Sequence, residues 1–376
     1  MSVSRLTVVG LGLIGGSIAA ATRNLLPAVA IRAVDPDAGT LAFAREAGLI
    51  DEGALPGAAL ADGWFGPGAA DLIVLATPVA ATVEWLGVLA AEGYDGIVTD
   101  ACSTKGAVVS AARSAGGRYR FVGGHPMAGS ERSGVQAADA ALLDGAYYIL
   151  TPDPTTDMEA YRRVHAFVTS LGARALSLDA SAHDEAVALV SHVPHIAAAA
   201  LVSLADTGAR SAGTDVLRLA AGGFKDTTRI AAGSPELWTG IVLDNAGAID
   251  AGIRELEAVL ADFRARVVSG DAAAIGAWLA EAAEVRRALP AQWVPATAQL
   301  TEVLVPVADR PGVVGAVTTA ASRAGCNIED IEIDHQSEDR AVLRLVLTDE
   351  GDVNALVADL EAQGFAPDVR PLEGDR

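Results

Sequence analysis

The sequence predicts an α/β chain: a doubly wound parallel sheet, then an all-α segment, then a small α+β domain. Three observations predict it. A glycine-rich turn follows the first β-branched run, apolar strands alternate with helical stretches up to residue 178, and strand signals then vanish until residue 299. Leu6–Val9 is the first strand, and the turn beginning at Gly10 leads into a helical stretch from Ile14. Val29–Val34, Asp71–Ala76, Ile97–Thr99, Arg120–Val122, Tyr147–Leu150 and Ala175–Leu178 read as further strands, bounded by turn residues.

From Ser181 to about Leu289 the chain is rich in Ala, Leu, Glu and Arg at helical spacing. Pro290 and Pro295 then break helix and mark a linker. Beyond it, period-2 patterning over Leu300–Ala308, a turn at Asp309-Arg310-Pro311-Gly312, a helix to Ala324, strands near Ile328–Asp334 and Ala341–Leu347, and a helix Val353–Gln363 predict βαββαβ, a ferredoxin-like order. The expected domains are 1–178, 179–290 and 299–376, with a linker at 291–298.

Composition narrows the function. With 376 residues, 51% of them hydrophobic, the chain can bury more than one core. Cys102 and Cys326 lack metal or CxxC spacing, which argues against a disulfide framework or zinc site and fits a reducing cytoplasm. Glycines interrupt the apolar run Leu6–Ala21, unlike a signal peptide, and Ile196–Ala205 has about half the length that a membrane crossing needs. No membrane segment is expected. A net charge of −21 disfavours nucleic acid or anionic lipid as partner and repels an anionic substrate, so a dianion must be captured by a few local cations. The C-terminal segment from Gln299, with 16 acidic and 6 basic side chains, carries nearly half of that charge. The basic residues are 25 Arg and only two Lys, Lys105 and Lys225, so a compact point charge with rotatable donors is what those two positions retain.

Gly10-Leu11-Gly12-Leu13-Ile14-Gly15 is a GxGxxG that follows a strand and opens a helix, the context of a Rossmann-type dinucleotide turn. Gly10 allows the tight turn, Gly12 lets the backbone approach a pyrophosphate, Gly15 permits close helix packing, and the helix N-terminus stabilises the anion. Asp35 ends the second strand, where a carboxylate accepts from ribose hydroxyls and repels a 2′-phosphate, so NAD is expected rather than NADP. Arg32 reads as surface. Thr77 and Pro78, just past a buried strand, are expected to pass beside the cofactor.

Three polar segments flanked by Gly or Pro suggest chemistry. In Asp100-Ala101-Cys102-Ser103-Thr104-Lys105-Gly106, at the C-terminal end of a strand, Ser103 can bond a substrate hydroxyl, whereas Asp100 and Thr104 read as helix caps. In Gly123-Gly124-His125-Pro126, a histidine held between glycines and a proline is poorly explained by core packing. As a neutral imidazole it can take the proton of an alcohol as hydride leaves. The third is Ser191-His192-Val193-Pro194-His195 with Phe224-Lys225-Asp226-Thr227-Thr228-Arg229. There, anion binding by Arg229 is favoured over metal binding, which would need a third ligand recruited from His183, an Asp or a Glu. His165, His183 and His335 read as surface or capping residues.

Together VGLGLIGGS, DACSTKG, GGHPMAGSERSG, VSHVPH and GGFKDTTRIA, in this order across residues 5 to 290, resemble the prephenate and arogenate dehydrogenase family. The resemblance implies NAD-dependent oxidative decarboxylation of prephenate to 4-hydroxyphenylpyruvate and carbon dioxide, in tyrosine biosynthesis. It implies that His125 accepts the ring-hydroxyl proton and Ser103 positions that hydroxyl beside the nicotinamide. Arg229 would bind a carboxylate, with His195 near the other carboxylate or the entrance. Ser130 and Glu131 would form a gate or network, Lys225 and Asp226 an ionic support, and Trp238 would reach a partner's site in a homodimer. Arogenate is the alternative substrate; a non-catalytic NAD and amino-acid sensor is a rival that intact Ser103, His125, His195 and Arg229 oppose. The C-terminal segment resembles an ACT domain through DRPGVVGAV and AGCNIEDIEI, implying an amino-acid effector such as tyrosine near Asp309, Gly312, Val313, Asn327 and Ile328.

Overall fold

A computed structural model describes residues 3–129, 132–212, 219–288, 300–308, 313–326, 328–337, 340–347 and 351–372. They fall into two compact units, Met1–Arg264 and Ala265–Arg376.

In the first unit, short apolar runs form one eight-stranded sheet. Its strands are β1 (Arg5–Val9), β2 (Ala30–Val34), β3 (Glu52–Ala54), β4 (Leu72–Leu75), β5 (Ile97–Asp100), β6 (Arg120–Pro126), β7 (Tyr147–Thr151) and β8 (Arg174–Ser177), in the spatial order β3-β2-β1-β4-β5-β6-β7-β8. Successive residues of β4 serve opposite faces. Leu72 and Val74 join Ile18, Ala19, Val164 and Phe167 in one core, while Ile73 and Leu75 join Leu86, Leu89, Val108 and Ala112 in the other. A strand that is apolar at every position is therefore buried on both sides, as a doubly wound sheet requires. Strand order reverses between β1 and β4, and this opens a crevice at their C-terminal ends, where the glycine turn and Thr77 lie.

The sheet differs from the expectation in two places. β3 is an added edge strand. β6 and β7 pair antiparallel, with Gly123 opposite Thr151 and His125 opposite Ile149, so His125 lies within a strand rather than beyond one. This pairing explains Gly124. A Cβ there would stand 2.6 Å from the Asp100 carbonyl oxygen and 2.8 Å from the Tyr148 ring, leaving no room for a side chain between β5 and β7.

The helical part of this unit begins with Ala180–Val187, passes through a π turn at Ala188–His192, and continues as Val193–Ala212. Pro194 has no N–H, and its ring crowds the carbonyl four residues back. The widened turn relieves this: the Val193 N–H bonds back to the Ala188 carbonyl, and the pitch set there brings His192 and His195 to the buried side. Gly222–Thr228, a 3₁₀ turn Arg229–Ala232, Pro235–Asp244 and Ala246–Ser269 follow. Within one helical run, Ala180–Gly208, 29 residues long, the most apolar 18-residue stretch reaches a mean hydropathy of 1.8, long and apolar enough to cross a membrane by that measure alone. It nevertheless carries His183, Asp184, Glu185, His192 and His195, and its histidines are turned into the protein.

The second unit contains the helix Ala272–Ala288 and a sheet of β9 (Leu300–Ala308), β10 (Ile328–Ser337), β11 (Arg340–Leu347) and β12 (Asp368–Leu372) in the order β10-β11-β9-β12, every pair antiparallel. With the helices Val313–Arg323 and Val353–Ala362 this is the expected βαββαβ. Val303, Val305, Leu343 and Leu345 pack against Val317, Leu356 and Leu360. The linker expected at 291–298 lies outside the described residues.

Gly124→Ala is expected to destabilise the protein by about 1–3 kcal/mol in urea unfolding, the usual cost of overpacking, because the clashing partner is backbone that cannot swing away.

Candidate active site

The glycine turn has the shape of a dinucleotide cradle. Gly10 has φ +91°, and a Cβ there would meet the Ala76 carbonyl at 2.6 Å and Thr77 Cγ2 at 2.8 Å. A Cβ on Gly12 would meet nothing, so that side of the turn is open for a phosphate to approach the start of the helix Leu13–Leu25. Leu11 lies on the turn and Ile14 packs against the core. Asp35, just past β2, accepts the Leu11 N–H at 2.8 Å and the Asp37 N–H at 2.9 Å, which holds its carboxylate at the mouth of the crevice. Thr77 bonds Thr82 through their hydroxyls at 2.8 Å, and Pro78 caps the helix Val79–Ala91. These groups fit a dinucleotide with an unphosphorylated adenosine ribose.

Beyond β5 the chain builds the chemistry. Asp100 and Lys105 are fully buried and form an ion pair. The pair grips one residue of β6 through both of its peptide groups: the Gly124 N–H donates to Asp100 Oδ1 at 3.0 Å, and Lys105 Nζ donates to the Gly124 carbonyl at 2.6 Å. Gly124 directly precedes His125. Asp100 is therefore not a helix cap, and neither is Thr104, which is buried with no hydrogen-bond partner for its hydroxyl among the described residues. The cap comes from a distant element. Asp184, on the helix Ala180–Val187, accepts the N–H groups of Lys105 at 2.7 Å and Gly106 at 2.8 Å. Ser103 sits half-buried in the same loop.

His183 corrects the sequence expectation most clearly. Read as a surface or capping residue, it is wholly buried. Its Nε2 lies 2.8 Å from His125 Nδ1, and its Nδ1 lies 2.8 Å from Asp184 Oδ1. Asn245, which nothing in its neighbourhood marks in the sequence, donates from Nδ2 to the Asp184 carbonyl at 2.7 Å and contacts His192 Nδ1 at 3.2 Å. Within its own chain Trp238 stacks on His195, with ring centroids 3.5 Å apart and planes 15° apart, and meets His192 edge-on at 6.0 Å.

Burial disfavours the charged forms of His125, His192 and His195. Burial first, then the charge of Lys105 and the neighbouring His183 and His192, holds His125 well below 6.5. Burial lowers His192 to about 4 and also lowers His195. Burial alone would raise the Asp184 carboxyl, but the hydrogen bonds from His183, Gly106 and Lys105 outweigh it and leave the group below its ordinary value. Positive charge near these rings is then left to permanent cations. Arg229 stands on the 3₁₀ turn that packs against the helix bearing His195, with Lys225 and Asp226 exposed on the helix before it.

Ser130, Glu131, Asp309, Gly312 and Asn327 lie outside the described residues. Of the other expected effector positions, Val313 is buried in the core of the second unit and Ile328 packs against it at the start of β10. Among the described residues no group of three or more His, Cys, Asp or Glu is placed to hold a metal.

Comparison with known proteins agrees with this geometry. The family model described as prephenate dehydrogenase, nucleotide-binding domain, matches residues 18–177, the prephenate dehydrogenase dimerization domain matches 179–281, and the ACT domain matches 301–365. The prephenate dehydrogenase of Bacillus subtilis (strain 168) is 35% identical, over 94% of this chain and 95% of its own length. The crystal structure of prephenate dehydrogenase from Aquifex aeolicus with hydroxyphenyl propionate and NAD+ superposes with a TM-score of 0.72 at 30% identity, covering 77% of this chain and 99% of that one. Arogenate dehydrogenase from Synechocystis superposes at 0.64 with 29% identity, over 75% of this chain and 99% of that one.

Lys105→Met is expected to lower stability by about 3–5 kcal/mol in chemical denaturation, since it strands the Asp100 charge in the interior.

Proposed function

The chain belongs to the prephenate dehydrogenase family, and on that premise we propose that it oxidatively decarboxylates prephenate, with the half-buried His125 as its base. The observation that carries this reading is a histidine whose burial disfavours its charged form, next to a glycine clamped by Asp100 and Lys105 at the C-terminal edge of a dinucleotide-binding sheet.

The enzyme is an NAD-dependent oxidoreductase. NAD, held by Gly10, Leu11, Gly12, Leu13, Ile14, Gly15 and Asp35 and flanked by Thr77 and Pro78, supplies the hydride acceptor. The protein's own work is to bind, orient and move one proton. Arg229 takes a substrate carboxylate in a two-pronged contact, with Lys225 adding positive charge nearby and Asp226 balancing it. His195 and the Trp238 indole stacked on it wall the pocket. Ser103 and His125 bond the ring hydroxyl, and His125 withdraws its proton as the carbon beneath becomes a carbonyl. Loss of the ring carboxylate as carbon dioxide then yields the aromatic ring.

We further propose that residues 1–178, 179–290 and 299–376 are the cofactor, substrate and dimer, and regulatory domains, joined through 291–298. In the second of these, Leu204, Leu237, Leu243 and Val268 are each more than half exposed, and a second copy of the chain would cover them. The unpaired thiols of Cys102 and Cys326 suit a reducing cytoplasm. Ser130 and Glu131 remain proposed members of the substrate site. An aromatic amino acid, tyrosine first, is the proposed effector of the ACT domain, near Asp309, Gly312, Val313, Asn327 and Ile328.

Steady-state rates of the full-length enzyme with prephenate and with arogenate, each with and without tyrosine, test the substrate and effector together. Prephenate is expected to be preferred and tyrosine to slow turnover; a strong preference for arogenate would move the assignment to that substrate. His125→Asn should leave NAD affinity unchanged and reduce kcat by about 10²–10⁴-fold. Because the base is neutral above its own pKa, kcat/KM is expected to hold steady from neutral pH down to 6.5 and to fall only below it; a fall centred above pH 6.5 would contradict the assignment.

A further inference from the structure

We infer that His183 and Asp184 form with His125 a hydrogen-bonded relay that fixes the base in a single tautomer and stabilises the proton it borrows until the proton returns to the ring oxygen. The inference rests on His125 being the base and goes beyond it, by giving its direction of action to two residues that do not touch the substrate.

The polarity of the chain of bonds follows from its far end. The Asp184 carboxylate can only accept, and it takes three hydrogens: the amides of Lys105 and Gly106, and the His183 ring through Nδ1. A neutral His183 that donates from Nδ1 has a bare Nε2. That nitrogen is 2.8 Å from His125 Nδ1, so the hydrogen between them belongs to His125. A neutral His125 with Nδ1–H then has its own Nε2 unprotonated, and Nε2 is the atom that meets the substrate. The tautomer is thus dictated by a carboxylate two imidazoles away.

The proton count of the reaction explains why such an arrangement is useful. As hydride passes to NAD, the ring hydroxyl gives its proton to His125 Nε2 and the carbon becomes a carbonyl. When the C–C bond to the ring carboxylate breaks, carbon dioxide leaves and the bonding pair flows through the ring to that carbonyl, making a phenolate oxygen. This oxygen takes the same proton back from Nε2. One hydride is transferred, one carbon dioxide is released and no proton is lost. His125 therefore has to act as base and then as acid within one turnover.

Its surroundings suit both roles. Burial first, then the charge of Lys105 and any charge on His183 or His192, opposes an imidazolium and favours the proton's return, so His183 can help only as a neutral acceptor. The His183 acceptor, backed by Asp184, stabilises that imidazolium through Nδ1–H just enough for it to form. His183 and Asp184 are positioning residues in this account. Asp184 also caps the helix Gly106–Ser114, so His183 is the cleaner position to test.

The decisive measurement on the unmodified enzyme is the nitrogen NMR spectrum of its histidine rings at neutral pH. Both His125 and His183 are expected in the Nδ1–H form, and an Nε2–H form at either one overturns the relay whether or not His125 is the base. Kinetics add a second reading. His183→Phe keeps the volume but removes the acceptor, so kcat should fall by about 10²-fold or more, KM for prephenate and NAD affinity should change less than about twofold, and the acid limb of the kcat profile should move to lower pH. His183→Gln, which can still accept, should recover part of the rate. If His183→Phe keeps a wild-type rate and limb while His125→Asn is inactive, the relay is wrong and the base stands. If His125→Asn turns over normally, the base assignment itself falls.

Discussion

One carboxylate, Asp184, takes three hydrogens at once, from the Lys105 and Gly106 amides and from the His183 ring, and so ties the loop after β5 to the first helix of the all-α segment. Everything downstream of this joint inherits its geometry. Lys105 is held where its ammonium reaches both Asp100 and the Gly124 carbonyl, and Gly124, bonded through both its N–H and its carbonyl, fixes the backbone that leads into His125. Asn245 binds the Asp184 backbone from the far side and passes the constraint to His192. Buried polar networks of this kind are costly unless complete, and completeness is what makes them position side chains to fractions of an ångström.

The charge problem raised by a net −21 is resolved by division of labour. One of the two lysines is used up inside, neutralising Asp100, and adds nothing to long-range attraction. The histidines of the site stay neutral because burial disfavours their charged forms. In the proposed function, capture of the anion is assigned to the guanidinium of Arg229 on the 3₁₀ turn, and the proton chemistry would proceed beside a buried pair whose charges are already balanced.

Legibility in the sequence followed the range of the interactions involved. The doubly wound sheet could be read because β4 and its neighbours are apolar at each position, and the dinucleotide turn because its glycines answer to local crowding. β3 could not be read, since Glu52-Gly53-Ala54 has no alternation. The direction of β7 could not either, since it depends on the route of residues 127–146. His125 announced itself through the two glycines before it, Gly123 crowded by Thr151 and Gly124 by Asp100 and Tyr148. His183 did not: its burial comes from a partner 58 positions away in the chain, and locally it is just one more polar residue in the first turns of a helix. Asn245 was hidden for the same reason, its importance lying in contacts 53 and 61 positions distant.

The bond from Leu11 N–H to Asp35 has a consequence for cofactor engineering. In many dinucleotide enzymes the acidic residue after the second strand is treated as a selectivity filter that can be exchanged to admit a phosphorylated ribose. Here the same carboxylate is a strut of the glycine turn, bonded to the backbone between Gly10 and Gly12. Removing its charge would relax discrimination and loosen the phosphate cradle in one stroke. Cofactor preference and cofactor affinity are, in this chain, a single inherited trait, and an altered preference would need a second substitution to rebuild the turn.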